Sequence, residues 1–211
     1  MEQGFPESIA APGIKESWDL LCKRDPQEVQ AGALAEYDPQ NKTYTVSCLG
    51  QRIVVSLRDK RLCSFTEVGK VILEKYPEYA KLSILRYLTQ AQNKPLSGEL
   101  VKPSQLPGGD FFVSGSHVLP LARIARVFDH RPDEFVRRGH ILGGTRTEYG
   151  EAALKLLSFP RIPVHLILWF GDDEFPAWAT LLVDTSCLEH MAVDIIWSTC
   201  MLTLLMLQEE L

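Results

Sequence analysis

The sequence predicts an α+β domain built from two β-hairpins, at about 43–57 and 163–184, packed with helices that include a central, apolar C-terminal helix. Runs rich in β-branched residues occur early and late in the chain, and segments with helical periodicity lie between and after them. Strands and helices do not alternate regularly, as they would in a doubly wound parallel fold, so the pattern favours α+β.

The bulk composition is typical of a globular protein with one domain. Of the 211 residues, 45% are hydrophobic and 23% are charged, close to globular averages, so a disordered chain and a coiled coil are excluded. We expect a flexible tail over residues 1–14 and a single α+β domain over residues 15–211. The formal charge of −5 argues against broad electrostatic binding of nucleic acid.

The sequence predicts a cytoplasmic protein that does not enter a membrane. Residues 1–14 lack the apolar core that a secretory signal requires. The most apolar stretch, Ile195–Leu207, has thirteen residues without a charge, short of the roughly twenty that a membrane span needs. The five cysteines form no C-x-x-C pair, so we expect buried, reduced thiols rather than disulfides, a zinc site or an iron–sulfur site.

The first hairpin is predicted to follow two short helices. Residues 18–33 carry apolar positions at helical spacing with a break at Pro26, which predicts two helices rather than one. The turn residues at 38–42 precede β-branched runs at 43–48 and 52–57. Because a short turn containing glycine joins these two runs, they predict a β-hairpin.

Helices and one long loop are predicted for the middle of the chain. Ser64–Glu67 matches the capping box of a helix start, and Pro77 ends this helix or kinks it into a second one. Residues 94–116 hold three prolines and little periodicity. Irregular segments of this length inside a compact domain are usually functional. Pro120 and Pro132 then each begin a further predicted helix.

The second hairpin and a core helix are predicted at the C-terminal end. Two apolar runs within 163–184 flank the turn 171–176 and predict antiparallel strands. Ser186–Glu189 is a second capping box, which is expected to open a helix that runs to about Gln208. This helix is apolar on nearly all sides, so we place it at the centre of the core.

Arginines are concentrated between residues 116 and 146, which is unusual in an acidic chain. Arg123, Arg126 and His130 have the i, i+3, i+7 spacing of one helix face, and guanidinium groups suit fork-shaped recognition of carboxylate or phosphate. Backbone N–H groups of nearby glycines could add anion donors. A solvated charged face accounts for the same spacing. The candidate anion-binding residues are Arg123, Arg126, His130, Arg146, Gly108, Gly109, Gly143 and Gly144.

Carboxylates in the second hairpin form a second candidate site. Asp172, Asp173 and Glu174 lie in the turn, Asp184 lies on the returning strand, and Glu99 lies in the long loop. Clustered carboxylates can bind a hard cation such as Mg²⁺ or perform acid–base chemistry. A solvated hairpin turn commonly has the same composition, so both interpretations stay open.

The aromatic residues around this turn lead to two structural expectations. Trp169 and Trp197 lie inside apolar runs and are predicted to be mostly buried. Because Trp169 and Phe175 flank the turn, we expect Asp172 and Asp173 to face the body of the domain. The expected partners of these carboxylates are Arg123, Arg126 or Arg161.

No motif identifies an enzyme class. The chain has no H-x-x-x-H pair, no nucleophile elbow and no phosphate-binding P-loop, so whether it is an enzyme stays open and no cofactor is predicted. His165 sits between apolar residues of a predicted strand, where a core histidine is expected. His190 and Asp194 have the spacing of one helical turn and predict a local ion pair.

Several segments resemble an uncharacterised prokaryotic family, domain of unknown function 3786. They are Leu96–Glu99, Leu106–Phe112, Leu142–Gly144, Phe159–Pro163, Leu168–Pro176 and Val183–Ser186, together with His190 and Asp194. The resemblance implies a loose link to anaerobic cofactor or one-carbon (corrinoid) metabolism. Some relatives carry a cysteine-rich iron–sulfur module, and this chain lacks that cysteine run.

Two functional hypotheses of different classes follow from the sequence. The first is an accessory protein that holds a small anionic ligand or a protein partner on the face formed by residues 96–112 and 123–146. The second is a metal-assisted hydrolase or transferase that uses the acidic turn at 172–174.

Overall fold

The computed structural model of the chain describes residues 11–113 and 115–211. Residues 1–10 of the predicted tail lie outside the described residues. Residues 11–14 form the first turn of helix α1 (Ala11–Leu21), where Ile14 packs against the core. Asp25 caps helix α2 (Pro26–Ala33) by accepting a hydrogen bond from the Gln27 N–H, so the break predicted at Pro26 is confirmed.

The first hairpin forms the centre of a four-stranded antiparallel sheet. Its strands, in sheet order, are β1 (Glu36–Asp38), β2 (Thr43–Cys48), β3 (Gln51–Ser56) and β4 (Arg61–Cys63). The hairpin of β2 and β3 confirms the prediction from the two β-branched runs. The two edge strands have three residues each, too few to show an alternating pattern.

Helices α3 (Glu67–Lys75) and α4 (Pro77–Gln90) follow, and Pro77 is the first residue of the second. The predicted cap of α3 is wrong by two residues. Thr66, not Ser64, accepts the hydrogen bond from the Gly69 N–H, at 3.0 Å. The Ser64 hydroxyl instead donates to the carbonyl of Arg52, because Ser64 lies directly after β4, which pairs with β3.

A five-stranded antiparallel sheet forms the second half of the fold, in the order β5-β9-β8-β7-β6. The strands are β5 (Leu100–Val101), β6 (Thr145–Thr147), β7 (Ala152–Phe159), β8 (Ile162–Trp169) and β9 (Trp178–Asp184). The pair of β8 and β9 confirms the second predicted hairpin. Helices α5 (Leu121–Phe128) and α6 (Pro132–Ile141) lie between β5 and β6 in sequence.

The C-terminal helix α7 (Val193–Gln208) is largely buried, as predicted. Its predicted start is wrong, because Thr185–Glu189 forms a separate 3₁₀ turn that Asp184 caps. The chain then bends at residues 190–192 before α7 begins, so Asp194 lies in the first turn of α7 and is exposed. Because His190 ends the 3₁₀ turn and Asp194 lies in α7, the predicted ion pair between these two residues does not form.

The two sheets share one hydrophobic core and meet at a close backbone contact. Gly50 in the β2–β3 turn and Gly143 after α6 both have positive φ values, 72° and 69°. A Cβ atom on Gly143 would lie 2.8 Å from the Cα of Gly50. Beside them, the Leu49 N–H donates to the carbonyl of Ser158 on β7 at 3.2 Å. Only glycine allows the two loops to approach this closely.

The cysteines and tryptophans refine the predicted core. Cys48, Cys187 and Cys200 are buried thiols, whereas Cys22 and Cys63 are exposed, and all five are free. Trp169 and Trp197, predicted to be mostly buried, are only partly buried, and Trp197 packs against the core. Within the described ranges, no helix is long and apolar enough to cross a membrane.

Candidate functional site

Two neighbouring concavities lie beside the exposed side of helix α5. We call the first the apolar groove, which has a volume of about 470 Å³ and lies between the start of α5, strand β9 and the loop after β5. Its lining residues are Lys102, Pro103, Ser104, Phe112, Val113, Val118, Leu119, Leu121, Ala122, Trp178, Ala179, Thr180 and Leu181.

The apolar groove exists because β5 ends after two residues. Pro103 has no N–H to continue the pairing with β9, so the chain turns away through 3₁₀ turns at Pro103–Gln105 and Gly109–Val113. A Cβ on Gly109 would lie 2.1 Å from the Pro103 carbonyl, so glycine is required where the turns meet. Phe112 is buried and stacks on Phe111, with 4.7 Å between ring centroids.

The surface around the apolar groove is hydrophobic, with a single basic group. Among the described residues, Lys102 is the only charged one that lines the groove, and it makes no ion pair there. Large apolar side chains are exposed along its rim: Val113 is 68% exposed, Val118 is 52% exposed and Trp178 is 48% exposed. The ring of Trp178 stacks on Trp169 at 3.8 Å between centroids, which fixes its orientation.

We call the second concavity the turn cleft, because the β8–β9 turn forms one of its walls. It has a volume of about 920 Å³ and shares Ala122 with the apolar groove. The end of α5 forms the opposite wall. Its lining residues are Ala122, Arg126, Asp129, His130, Gly171, Asp172, Asp173, Phe175, Pro176 and Ala177.

Backbone-directed hydrogen bonds hold the two walls of the turn cleft together. The Gly171 N–H donates to Asp129 Oδ1 at 3.0 Å, and His130 Nε2 lies 3.0 Å from the Gly171 carbonyl. His130 has a φ of 52°, in the left-handed region that non-glycine residues rarely adopt. These contacts fix the start of the turn against the end of α5.

The predicted inward orientation of the acidic turn is wrong. Asp172 and Asp173 are both exposed, and the described residues contain no ion pair between either carboxylate and an arginine. Asp172 Oδ1 instead accepts hydrogen bonds from the N–H groups of Glu174 and Phe175. These two bonds lower the pKa of Asp172. The turn therefore satisfies its own carboxylate, and the aromatic residues do not draw it inward.

The predicted arginine face is only partly assembled. Helix α5 ends at Phe128, so His130 follows the helix instead of extending its face. Arg126 and His130 nevertheless both line the turn cleft, whereas Arg123 does not. Arg146 lies in a separate concavity formed by residues 146–151.

The four predicted anion-binding glycines have structural roles in the described structure. Gly143 meets Gly50, and a Cβ on Gly144 would lie 2.7 Å from Leu156 Cδ2. Gly109 packs on Pro103, and Gly108 has a φ of 76° in the same turn. None of these glycines lines the cleft that contains Arg126. Close packing explains the presence of Gly109, Gly143 and Gly144, and the positive φ explains Gly108.

Asp184 is buried by hydrogen bonds and does not join the acidic turn. Its two carboxylate oxygens accept from the N–H groups of Ser97, Gly98 and Ser186 and from the hydroxyls of both serines. Burial acts to raise its pKa, but these hydrogen bonds outweigh burial and hold the pKa at about 2. Asp184 thus joins the loop before β5 to the end of β9.

The remaining predicted metal ligands are not brought together. Asp184 and the 172–174 turn lie at opposite ends of β9, roughly 20 Å apart at about 3.3 Å per residue. Glu99 is exposed and contributes only its backbone carbonyl, which accepts from the Thr185 N–H at 2.9 Å. Across residues 11–113 and 115–211, no group of three or more His, Cys, Asp or Glu is arranged to hold a metal ion.

His165 is buried, as predicted, whereas His190 and Arg161 are buried with partners other than the predicted ones. Burial lowers the pKa of His165 and of His190, and the charge of Arg161 adds to the effect on His190. The Arg161 guanidinium donates to the carbonyls of Ala31, Gly32 and Lys94 and to the side chain of Asn93. It therefore joins the end of α2 to the loop after α4.

The residues that line the apolar groove were missed for a different reason. Lys102, Ala122 and Trp178 belong to no motif, and each is unremarkable in its own segment. The usable signals were Pro103, which ends a strand, and the apolar pair at 111–112 inside an irregular segment.

Comparison with known proteins identifies one family. A family model described as "Domain of unknown function (DUF3786)" matches residues 25–206. No curated protein and no solved structure matches the chain. The matched range includes both sheets, the apolar groove and the turn cleft.

Proposed function

Because the chain belongs to the DUF3786 family, whose description assigns no activity, we propose a function from its surface: the protein is an accessory protein that holds a segment of a partner protein in the apolar groove. The segment is apolar and carries carboxylates. We place the protein itself in the cytoplasm. Its link to anaerobic cofactor or one-carbon (corrinoid) metabolism rests on the family resemblance alone.

One observation carries the proposal, namely that the apolar groove continues into exposed apolar surface. Val113, Val118 and Trp178 stand at its rim, and each is about half exposed or more. Contiguous exposed apolar surface is uncommon on proteins that act alone and is typical of surfaces that contact another protein. Aromatic residues such as Trp178 also tend to carry much of the binding energy in such contacts.

The open form of the apolar groove favours a protein segment over a small molecule. Small-molecule sites bury most of the ligand in a concave pocket. Here the walls include side chains that are themselves exposed, so a small ligand would leave much of its own surface and that of Val113 and Val118 in water. A chain segment covers the rim as well as the floor, and it removes more apolar area from water.

The charge at the apolar groove predicts the chemistry of the segment. Lys102 is exposed and has no carboxylate partner among the described residues. A carboxylate on the bound segment would pair with this ammonium group and fix the register of binding. We therefore expect the segment to place an aspartate or glutamate next to its apolar residues.

A peptide-display selection on the folded chain tests the proposal. A library of random linear peptides is selected against the immobilised protein and counter-selected against the variant Ala122→Glu. Ala122 is exposed at the start of α5, where a glutamate is tolerated by the helix, so this variant blocks the apolar groove without disturbing the core. The enriched peptides should be apolar and acidic, and they should bind Ala122→Glu at least about tenfold more weakly, or about 1.4 kcal/mol.

Matched variants separate blockage from a general change in charge. Ala31→Glu adds the same charge at an exposed position of α2, outside both concavities, and should leave binding unchanged. Lys102→Glu should weaken binding, whereas Lys81→Glu on α4 should not. Failure to enrich any peptide, or equal binding by wild type and Ala122→Glu, contradicts the proposal.

A further inference from the structure

We propose that the turn cleft binds the β8–β9 turn of a second copy of this chain, so that two copies form a dimer with twofold symmetry. The two concavities share Ala122, but this inference is tested at Arg126, Asp173 and Phe175, none of which lines the apolar groove. The cleft and the turn are adjacent in one molecule. A twofold axis between two copies can therefore place each turn in the cleft of the other copy.

The turn is a stiff projection with an exposed aromatic side chain. The Asp172 N–H donates to the Phe175 carbonyl at 2.9 Å, and Asp172 Oδ1 accepts from the N–H of Phe175 at 2.7 Å. The ring of Phe175 is nevertheless 66% exposed. A side chain held on a rigid turn loses little conformational freedom when it binds, so its burial contributes fully to association.

The turn cleft has room for this side chain. Its walls include the small residues Ala122, Gly171 and Ala177, and a volume of about 920 Å³ is open between α5 and the turn. Neither alanine fills the space that faces Arg126. An aromatic ring from another molecule would cover Ala122 and the stem of Arg126, which is exposed.

The charges of the turn cleft commit the proposal to a second copy of this chain. Arg126 lies on the α5 wall and Asp173 lies on the opposite, turn wall. Both side chains are exposed, and neither forms an ion pair among the described residues. In a twofold interface every contact occurs twice, so Arg126 of each copy would face Asp173 of the other. Asp129 and Asp172 also line the cleft, but each already accepts backbone N–H groups within its own chain. Arg126 and Asp173 are therefore the opposite charges left to meet across the interface.

The net charge of the chain means that salt alone cannot test the Arg126–Asp173 pairs. Two copies that each carry a formal charge of −5 repel one another at long range. Added salt screens this repulsion, but it also screens the two exposed Arg126–Asp173 pairs. A charge-exchange experiment at constant ionic strength separates the two effects, because the double variant keeps the same net charge as the wild type.

Sedimentation equilibrium of the full chain tests the dimer. At high concentration the wild type should approach twice the 23.8 kDa mass of one chain. Arg126→Asp and Asp173→Arg should each weaken association at least about tenfold, since each turns two attractive pairs into two repulsive ones. The double variant Arg126→Asp/Asp173→Arg should recover association, and Phe175→Ser should lose it.

Controls keep folding and general charge effects apart from the interface. All three positions are exposed, so each variant should unfold within about 0.5 kcal/mol of the wild type in urea. Arg58→Glu changes the charge in an exposed turn of the other sheet and should leave the mass unchanged. A wild type that stays monomeric at all concentrations, or a double variant that stays dissociated while the wild type dimerises, overturns the proposal.

Discussion

Replacing Asp184 with asparagine tests how the second sheet is joined to the loop before β5. The carboxylate is 2% exposed and accepts five hydrogen bonds, three from backbone N–H groups and two from serine hydroxyls. Asparagine keeps one acceptor oxygen but replaces the other with an NH₂ group. That NH₂ group faces a donor, the Gly98 N–H, so a buried donor loses its partner.

The expected loss is about 2–4 kcal/mol. A carboxyl with a pKa of about 2 in the folded chain and 3.8 in the unfolded chain contributes about 2.4 kcal/mol at neutral pH, at 1.36 kcal/mol per pKa unit. The unsatisfied donor at Gly98 adds about 1–3 kcal/mol, part of which the remaining oxygen of asparagine offsets.

Urea denaturation followed by tryptophan fluorescence measures this loss, and pH gives it a signature. Because the folded pKa of Asp184 is below the unfolded pKa, its contribution is present above the unfolded value. It is lost as the pH falls from about 3.8 to about 2. The wild type and Asp184→Asn should therefore differ by a constant amount near neutral pH and converge in strong acid.

Asp172→Asn is the matched control, because its carboxylate also accepts backbone hydrogen bonds but is exposed. Asparagine still caps that turn, so this variant should stay within about 0.5 kcal/mol of the wild type. A loss below about 0.5 kcal/mol for Asp184→Asn, or a difference that does not shrink in acid, would refute the structural role assigned to Asp184.

Three further predictions concern the core. Gly143→Ala should cost about 1–3 kcal/mol more than Gly98→Ala in urea denaturation, because both glycines have positive φ but only Gly143 meets another backbone, that of Gly50; equal losses would contradict the close contact. Arg161→Lys should lose about 1–3 kcal/mol, since lysine cannot reach all the carbonyls that the guanidinium joins; a neutral result would show that those carbonyls find other partners. Because the pKa of His190 is lowered in the folded chain, the free energy of unfolding of the wild type should fall as the pH drops below the unfolded pKa of 6.5. His190→Gln should make this fall with pH less steep, and an unchanged pH dependence would contradict the burial of a neutral imidazole.

Strong local patterns allowed much of the fold to be predicted. The pair of β2 and β3 alternates buried and partly exposed residues, and β8 and β9 flank a turn of polar residues, so their pairing can be inferred from sequence. The presence of strand β7 could not be inferred from the sequence, because Ala152–Phe159 is a nearly continuous apolar run without β-branched residues. Such a run is compatible with a helix until its two neighbouring strands are known.

The candidate site was predictable only in its location. The long segment after residue 94 was expected to be functional, and it forms a wall of the apolar groove. From the arginine spacing, we expected one helix face to continue past Phe128 to His130. Helix α5 instead ends at Phe128, and only Asp129 and Pro132 mark that end in the local sequence. The role of Asp184 depends on Ser97, 87 residues earlier in the chain, which no local pattern can show.

Hydrogen–deuterium exchange of the full chain, with and without an enriched apolar and acidic peptide, tests the central proposal most directly. The expected result is slower exchange at 102–104, 112–113, 118–122 and 178–181, the segments that line the apolar groove. Exchange in the first sheet, residues 36–63, should stay unchanged. Protection centred on the first sheet, or no protection at 118–122 and 178–181 under saturating peptide, would contradict the assignment of the apolar groove as the site that holds a partner segment.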